Sequence, residues 1–532
     1  MFPFALSIWC AIVALSRSTR ASPLFPVGDV VDTGYIQYHG NRSFENTVAY
    51  LGIPYAEPPL GDRRFRAPLP LDTERIKAEN HGEVVDATTY PDFCVQGTTG
   101  AGDAGGAGTE DCLKLNVYAP FGAKLGDDCY VYGNPANWPF DSWINQSPNV
   151  VVVSVYYRLD SFGFLAVPEL DDTRIGDFNA GFQDQIQSLK WIKSYIASFG
   201  GNPNKVTING QSAGGGSVEL HLVAKNQAEV LFSGAIVQSV YRTPTPTPAQ
   251  QQPLFAFYAE AAGCGNGSVI IQLPCLRNAS ISALARAQDA APYNAFHPVV
   301  DGKIITDYPS NSILNGQFVQ VPLIVGATSN ETLFGGTDFV QALQEAFPGL
   351  SSGDLEEFVQ EYPLSEFDST SQQFQVATGE SILICSREIL GGAYANVTQA
   401  WTYRYNQPNP TSGSPAVGHA AENWMMFNGI NTGFNGTGTF TPMSPVEKSF
   451  AAELIAYWLS FVRSGDPNVF KLDRSPTWER YLTIRDNLKE RIVLQQPANN
   501  STTESGSFIE MEPSVESGRC AFVATKSRQE QN

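Results

Sequence analysis

The sequence is poor in positive charge, in histidine and in long apolar runs, and each shortage excludes something. Its 532 residues include 33 Lys and Arg against 53 Asp and Glu, a formal net charge of −20, which argues against binding to nucleic acid or to an anionic membrane surface. No apolar run approaches the ~18 residues of a membrane-spanning helix. Only five histidines are present, so the candidates for a catalytic base are few. We find no pattern that requires a cofactor or a metal ion.

The first residues have the composition of a secretory signal peptide. An apolar stretch, Pro3–Leu15, leads into small and polar residues, and Thr19–Ala21 fits a cleavage site. We therefore expect residues 1–21 to be a signal peptide and the protein to be secreted. Asn-x-Ser/Thr sequons agree with an extracellular glycoprotein; they begin at Asn41, Asn145, Asn266, Asn278, Asn330, Asn396, Asn435, Asn499 and Asn500.

The most informative stretch is Gly210–Gly214, which reads Gly-Gln-Ser-Ala-Gly. It stands between a β-branched run, Val206–Ile208, and a helix-like segment, Val218–Ala224. A Gly-x-Ser-x-Gly pattern between strand and helix is typical of a nucleophile elbow, whose strained turn raises the serine hydroxyl above a sheet. We therefore interpret Ser212 as a nucleophile and expect the amide of Ala213 to point toward an oxyanion. The competing interpretation is a glycine-rich turn with an incidental serine.

The chain before the elbow alternates between strand and helix patterns. Asn149–Val155 is a continuous apolar run, as expected of a parallel strand covered on both faces. Gln183–Phe199 has apolar residues at helical spacing, and Val206–Ile208 follows as the next strand, which together predict a right-handed crossover. Since there is no internal repeat and no long linker, residues 22–532 are expected to form one α/β domain. Its central sheet should be mostly parallel, with helices on both faces.

A nucleophilic serine needs a base, and the base needs a carboxylate that orients it. His419 follows a long Pro- and Gly-rich loop, which suits a base that must reach a serine. Of the other histidines, His221 lies on a helix leading away from the elbow, where capping or packing is favoured, and His297 precedes Pro298 in a strand-like run. The remaining two, His39 and His81, are near the N-terminus. The acid should fall between serine and histidine in the chain, where Glu331 is the only carboxylate of the strand-to-turn segment Leu323–Phe334. If Glu331 is buried, its neighbour Asn330 should not carry a glycan.

Several motifs resemble the type-B carboxylesterase family, which includes cholinesterases and fungal esterases and lipases. They are, in order, Tyr50–Arg66, Glu110–Val117, Tyr156–Leu159, Phe162–Leu165, Asn179–Gln185 and Phe199–Pro203, the last leading into the elbow. The resemblance runs from about residue 28 to 523. It implies an α/β-hydrolase fold and a carboxylic ester hydrolase whose triad is Ser212, Glu331 and His419.

The cysteines follow the same family. Eight are present, and loss of the signal peptide removes Cys10 and leaves seven. Two pairs would close small loops and the third matches the family's long-range bridge; the expected pairs are Cys94–Cys112, Cys264–Cys275 and Cys385–Cys520. This arrangement leaves Cys129 without a partner.

The sequence departs from the family around Cys129. Where the family has an apolar strand and a His-Gly-Gly-Gly-like turn, Pro120 is followed by a polar stretch and then by Tyr130–Asn134. We therefore predict that one central strand is deleted, together with the turn that would supply a second oxyanion donor beside Ala213. The centre of the sheet should be empty or poorly filled, and the sequence as written should lack an encoded segment, most simply through a misplaced intron boundary.

The loop between Cys94 and Cys112 bears on the substrate. In cholinesterases the corresponding loop carries the aromatic residue that stacks on choline, and in lipases of the family it forms an apolar lid. Here it has no aromatic residue and one sizeable apolar residue, Val95, which disfavours both choline binding and a lid. A small carboxylic ester of short to medium chain length remains. Two alternatives stay open: a catalytically impaired member or faulty gene model, and a non-catalytic adhesion module.

Overall fold

The computed structural model describes residues 29–97, 108–122, 126–133, 138–225, 229–292, 295–333, 335–432, 438–481, 489–499 and 502–532. The predicted signal peptide, residues 1–21, lies outside these ranges. The strands are β1 (Val30–Asp32), β2 (Gln37–Phe44), β3 (Thr47–Pro54), β4 (Val84–Ala87), β5 (Lys114–Pro120), β6 (Asp127–Gly133), β7 (Val150–Val155), β8 (Gly201–Gln211), β9 (Gly234–Gln238), β10 (Leu323–Thr328), β11 (Ala400–Tyr405), β12 (Ile430–Thr432), β13 (Gly438–Phe440), β14 (Glu490–Leu494) and β15 (Phe508–Met511).

Helices lie between and after these strands. They are α1 (Thr73–Asn80), α2 (Asp141–Gln146), α3 (Asp160–Phe164), α4 (Ala180–Tyr195), α5 (Ala213–Val223), α6 (Gln252–Ala261), α7 (Val269–Asn278), α8 (Ile281–Asp289), α9 (Pro309–Leu314), α10 (Phe339–Ala346), α11 (Ser352–Glu361), α12 (Thr370–Gly379), α13 (Cys385–Ala395), α14 (Ala421–Met426), α15 (Pro445–Ser464), α16 (Ser514–Thr525) and α17 (Ser527–Glu530). A π-helical turn, Glu380–Ile384, joins α12 to α13.

One large sheet organises the molecule. Its strand order is β1-β2-β3-β5-β7-β6-β8-β9-β10-β11-β14-β15, with β4 beside β2. Every pair from β7 to β14 is parallel, whereas antiparallel pairs lie toward the two edges. β12 and β13 form a separate hairpin. The predicted mixed, mostly parallel sheet is therefore confirmed.

Helices cover both faces of this sheet, and β7 shows how the sequence directs the two cores. Alternate side chains of a strand point to opposite faces. Val151 and Val153 pack into a core shared with α4 and α5, while Val150 and Val152 pack into a second core with α2, α14 and α15. Because both faces are buried, β7 is rich in valine, and its one polar residue, Ser154, accepts a hydrogen bond from the Asn116 amide (3.3 Å).

The prediction of a deleted central strand is wrong. β6 lies between β7 and β8 and pairs in parallel with both, Cys129 standing opposite Val151 on one side and Val206 on the other. Cys129 and Tyr130 are fully buried and belong to the two opposite cores. We expected the chain from Tyr130 onward to follow the missing strand. Instead, most of that segment belongs to β6, which is the central strand itself. No missing encoded segment is needed to complete the sheet.

Three disulfides join the predicted pairs. They are Cys94–Cys112, Cys264–Cys275 and Cys385–Cys520. Cys129 is a free, buried thiol. Across the described ranges, no helix combines the length and apolar character that crossing a bilayer requires.

Candidate active site

Ser212 stands at the sharp turn between β8 and α5. Its backbone has φ 59° and ψ −121°, a strained conformation that residues other than glycine seldom adopt. Its N–H donates to the Gln238 carbonyl (2.9 Å), and its own carbonyl accepts from the Tyr241 N–H (3.2 Å). A Cβ at Gly210 would come within 2.1 Å of the Gly214 carbonyl oxygen, so only glycine fits there. The turn therefore has the backbone geometry predicted for a nucleophile elbow.

His419 reaches Ser212 from a loop 207 residues further along the chain. Its Nε2 lies 2.7 Å from Ser212 Oγ, and its Nδ1 lies 2.7 Å from Glu331 Oε2. The imidazole side chain is 16% exposed, so the surrounding protein holds it in this orientation. Both distances lie in the range expected of a nucleophile, a base and an orienting acid.

Glu331 lies in the turn after β10 and is 1% exposed. Its second oxygen, Oε1, accepts a hydrogen bond from the Thr328 N–H (2.9 Å). Burial acts to raise the pKa of Glu331, but the charge and hydrogen bond of His419, the Ser239 hydroxyl and the Thr328 amide outweigh it and lower the pKa. Burial acts to lower the pKa of His419, and the bond and charge of Glu331 outweigh it and raise that pKa. The arrangement therefore pairs an ionised carboxylate with an imidazole whose affinity for a proton is increased.

Ala213 is the first residue of α5 and is exposed beside Ser212. The first N–H groups of a helix have no acceptor within the helix, and the positive end of the helix dipole favours an anion at this point. The predicted lack of a second oxyanion donor concerns the turn after β6. That turn, residues 134–137, lies outside the described residues.

The remaining buried histidines are held elsewhere. His221 lies on α5, and its Nε2 is 3.1 Å from Gln185 Oε1. Burial lowers the pKa of His221 to about 3 and that of His297 to about 4. Both side chains are therefore neutral at ordinary pH, which for His221 agrees with the capping or packing role expected from the sequence.

A cavity of about 350 Å³ opens beside His419, near the lower end of the size range of ligand sites. Trp138, Trp424 and Ile430 form its apolar walls, and Asn409, Ser412 and Ser414 form a polar side. These residues are scattered along the chain and share no local pattern, so the sequence alone does not identify them. Within the described ranges, no cluster of three or more His, Cys, Asp or Glu side chains is placed to hold a metal ion.

Comparison with known proteins extends this picture over nearly the whole chain. A model of the carboxylesterase family matches residues 30–522. Acetylcholinesterase of Bungarus fasciatus is 29% identical over 492 residues, covering 81% of this chain and 77% of the relative. Human cocaine esterase is 28% identical over 484 residues, covering 82% and 83%.

A solved structure agrees with the sequence relatives. The crystal structure of Aspergillus niger EstA superposes with a TM-score of 0.81 at 27% identity, covering 94% of this chain and 99% of that one. The predicted α/β-hydrolase fold is thereby confirmed. The chain belongs to the carboxylesterase family and is a carboxylic ester hydrolase.

Proposed function

We propose that the protein is a secreted serine carboxylesterase that works through Ser212, His419 and Glu331. His419 Nε2 accepts the hydroxyl proton of Ser212 as the Ser212 oxygen attacks the ester carbonyl. Glu331 holds the imidazole in the required tautomer and stabilises the imidazolium that forms. The proposal rests on one observation, that a single imidazole lies 2.7 Å from both Ser212 Oγ and Glu331 Oε2.

The reaction then proceeds through an acyl-enzyme. His419 returns the proton to the departing alcohol, which leaves the acyl group on Ser212. Water repeats the attack with His419 again as base, and the carboxylic acid is released. Ala213 supplies one amide to the negative oxygen of each tetrahedral intermediate, assisted by the dipole of α5.

The substrate that we propose is a small, neutral carboxylic ester of short to medium chain length. The cavity beside His419 is modest in volume, and no carboxylate is among the residues that line it, so its described walls offer no counter-ion to a cationic alcohol. Val95 is the only sizeable apolar residue between Cys94 and Cys112. Most of that loop, residues 98–107, lies outside the described residues, so this support comes from the sequence.

Secretion is supported by several independent features. Residues 1–21 have signal-peptide composition, and disulfides persist in oxidising compartments. Among the sequon asparagines of the described residues, the exposed ones are Asn145, Asn266, Asn278, Asn396 and Asn499, and we propose that these positions carry glycans. Two more, Asn435 and Asn500, lie outside the described residues.

The alternatives have less support. The impaired member or faulty gene model requires a missing central strand and a missing second oxyanion donor; β6 occupies the position of that strand, and the turn that would supply the donor, residues 134–137, lies outside the described residues. The adhesion module has no particular observation in its favour.

Turnover of p-nitrophenyl butyrate tests the proposal. Ser212→Ala should fold normally by circular dichroism and lose activity by a factor on the order of 10⁶ in kcat, as in other serine hydrolases that lose the nucleophile. Ser194→Ala is the matched control, because Ser194 lies exposed on α4 and bonds only the Lys190 carbonyl; it should keep full activity. Equal activity in Ser212→Ala and the control, or no turnover by the unaltered protein, would refute the proposal.

A further inference from the structure

A second carboxyl group is buried beside the proposed triad. Glu422 stands three residues after His419, in the first turn of α14, and is 2% exposed. Neither of its oxygens meets hydrogen-bond geometry with a described residue, and the contributions of the Gln238 amide and the Glu422 main-chain N–H are smaller than those of burial and of Glu331. An ionised carboxylate with so little donor support is unfavourable in a protein interior, whereas the protonated acid is tolerated far better. Glu422 therefore differs from the paired carboxylates of a structural ion network.

Groups on four elements surround Glu422. The turn after β10 contributes the Glu331 carboxylate and the loop before α14 contributes His419. β11 contributes the phenol of Tyr405, whose pKa is raised by burial and by the charge of Glu422. β9 contributes the neutral amide of Gln238.

The helix packed against α14 adds no counter-ion. α15 contacts α14, but its buried carboxyl, Glu453, accepts hydrogen bonds from Ser505 and Ser507. Of its two basic residues, Lys448 is exposed and Arg463 stacks on Phe470. The only cation that can form next to Glu422 in the described structure is therefore the imidazolium of His419.

The two titrations are linked. Burial, followed by the charge of Glu331, raises the pKa of Glu422 to about 7, and the Glu422 main-chain N–H, the charge of His419 and the Gln238 amide offset this only in part. The charge of Glu422 in turn contributes to the raised pKa of His419. Two groups that interact in this way share their protons and titrate as a pair.

We propose that Glu422 is a positioning residue that carries a proton beside the triad and so sets the net charge around His419. This inference rests on the proposed function of Ser212, His419 and Glu331. With Glu422 protonated, Glu331 is the only negative charge near the imidazole. When Glu422 ionises, a second negative charge strengthens the hold of His419 on its proton. The acidic limb of the activity profile therefore reflects both residues.

The pH dependence of kcat/KM with p-nitrophenyl butyrate tests this inference. Glu422→Gln keeps the size of the side chain but can carry no charge. Its acidic limb should move to lower pH by about one unit and should fit a single ionisation, whereas the limb of the unaltered enzyme spans two. Glu453→Gln is the matched control, because it neutralises another buried carboxyl on the adjacent helix, and its limb should superimpose on that of the unaltered enzyme.

A second measurement does not depend on turnover. Because the folded-state pKa of Glu422 is raised, the folded protein binds more protons than the unfolded chain between the ordinary glutamate pKa and about 7, so stability falls as pH rises through this window. The Tm of the unaltered protein should therefore fall more across it than the Tm of Glu422→Gln. Should Glu422→Gln not fold, Glu422→Met serves in both measurements.

Failure of the Glu422 role and failure of the proposed esterase function would give different results. Acidic limbs that superimpose in Glu422→Gln and the unaltered enzyme, or equal Tm changes across the window, would overturn the role of Glu422. If the unaltered protein turns over no ester, the proposed function fails, and the Tm comparison still decides whether Glu422 carries the proton.

Discussion

Asn330 and Val417 exchange two hydrogen bonds that join the turn carrying Glu331 to the loop carrying His419. The Asn330 N–H donates to the Val417 carbonyl (3.0 Å), and the Val417 N–H donates to Asn330 Oδ1 (3.0 Å). Asn330 immediately precedes Glu331, and Val417 lies two residues before His419. The pair therefore helps to fix the distance between the acid and the base.

Replacing the Asn330 side chain should loosen this junction. Asn330→Ala removes the bond to Oδ1 and keeps the bond between the two main chains, so we expect kcat to fall by about 10- to 100-fold with little change in KM, because small displacements within a catalytic set are costly. Asn278→Ala is the control, since it also removes a sequon but lies exposed at the end of α7. Equal kcat values for the two variants would contradict the prediction.

The raised pKa of His419 predicts where activity is lost in acid. His419 must be neutral to accept the serine proton, and Glu331 favours its charged form against the effect of burial. kcat/KM should therefore fall as pH drops through a value above the ordinary histidine pKa of about 6.5. In Glu331→Gln the remaining activity, reduced by about 10⁴ as in other triads, should fall at lower pH. If the acidic limb of the kcat/KM profile of the unaltered enzyme had its midpoint at or below about pH 6.5, the raised pKa of His419 would be disproved.

Gly379 should be essential for the position of the acid. A Cβ at Gly379, the last residue of α12, would come within 2.0 Å of the Glu331 carbonyl oxygen, and a main-chain oxygen cannot yield as a flexible side chain can. Gly379→Ala should therefore displace Glu331, reduce kcat and lower stability by about 1–3 kcal/mol. Gly392→Ala, on the next helix and with open space around the new methyl group, should be neutral or stabilising. Calorimetry and p-nitrophenyl butyrate turnover measure both effects, and unchanged behaviour of Gly379→Ala would count against this account.

The three disulfides should differ in their contribution to stability. The Cys385–Cys520 bridge spans 135 residues and the Cys264–Cys275 bridge spans 11. In the chain-entropy description, the longer loop stabilises by about 2 kcal/mol more. Replacing both cysteines of each bridge by alanine should therefore lower Tm more for Cys385–Cys520. The reverse order in thermal unfolding would show that loop entropy does not govern these bridges.

The sequence was most informative where structure is determined locally. The elbow around Ser212 was predictable because a strained turn between strand and helix needs small residues at fixed positions. β7 was predictable because a strand buried on both faces is mostly apolar. Chain order and local context pointed to Glu331 and His419, and the resemblance to a known family supported both and supplied the long-range Cys385–Cys520 pair.

Features that depend on contacts between distant parts of the chain could not be predicted from the sequence. β6 begins with two aspartates, so its pattern resembles a connection rather than a central strand. Its position depends on the partners β7 and β8, which no local pattern specifies. Glu422 could not be identified for a similar reason, because its burial and its few hydrogen-bond donors result from elements that are separated in sequence. The same holds for the cavity walls, Trp138 and Trp424.

The burial of Cys129 has a consequence for measuring the integrity of the fold. Its side chain is 0% exposed and it sits on β6, with a hydrogen-bonded strand on either side. A thiol reagent can reach such a sulfur only when the middle of the sheet comes apart, an event whose free energy approaches that of complete unfolding. The other six cysteines of the described chain are already bonded. The rate at which Cys129 is labelled under native conditions is thus a built-in readout of how often the whole molecule opens.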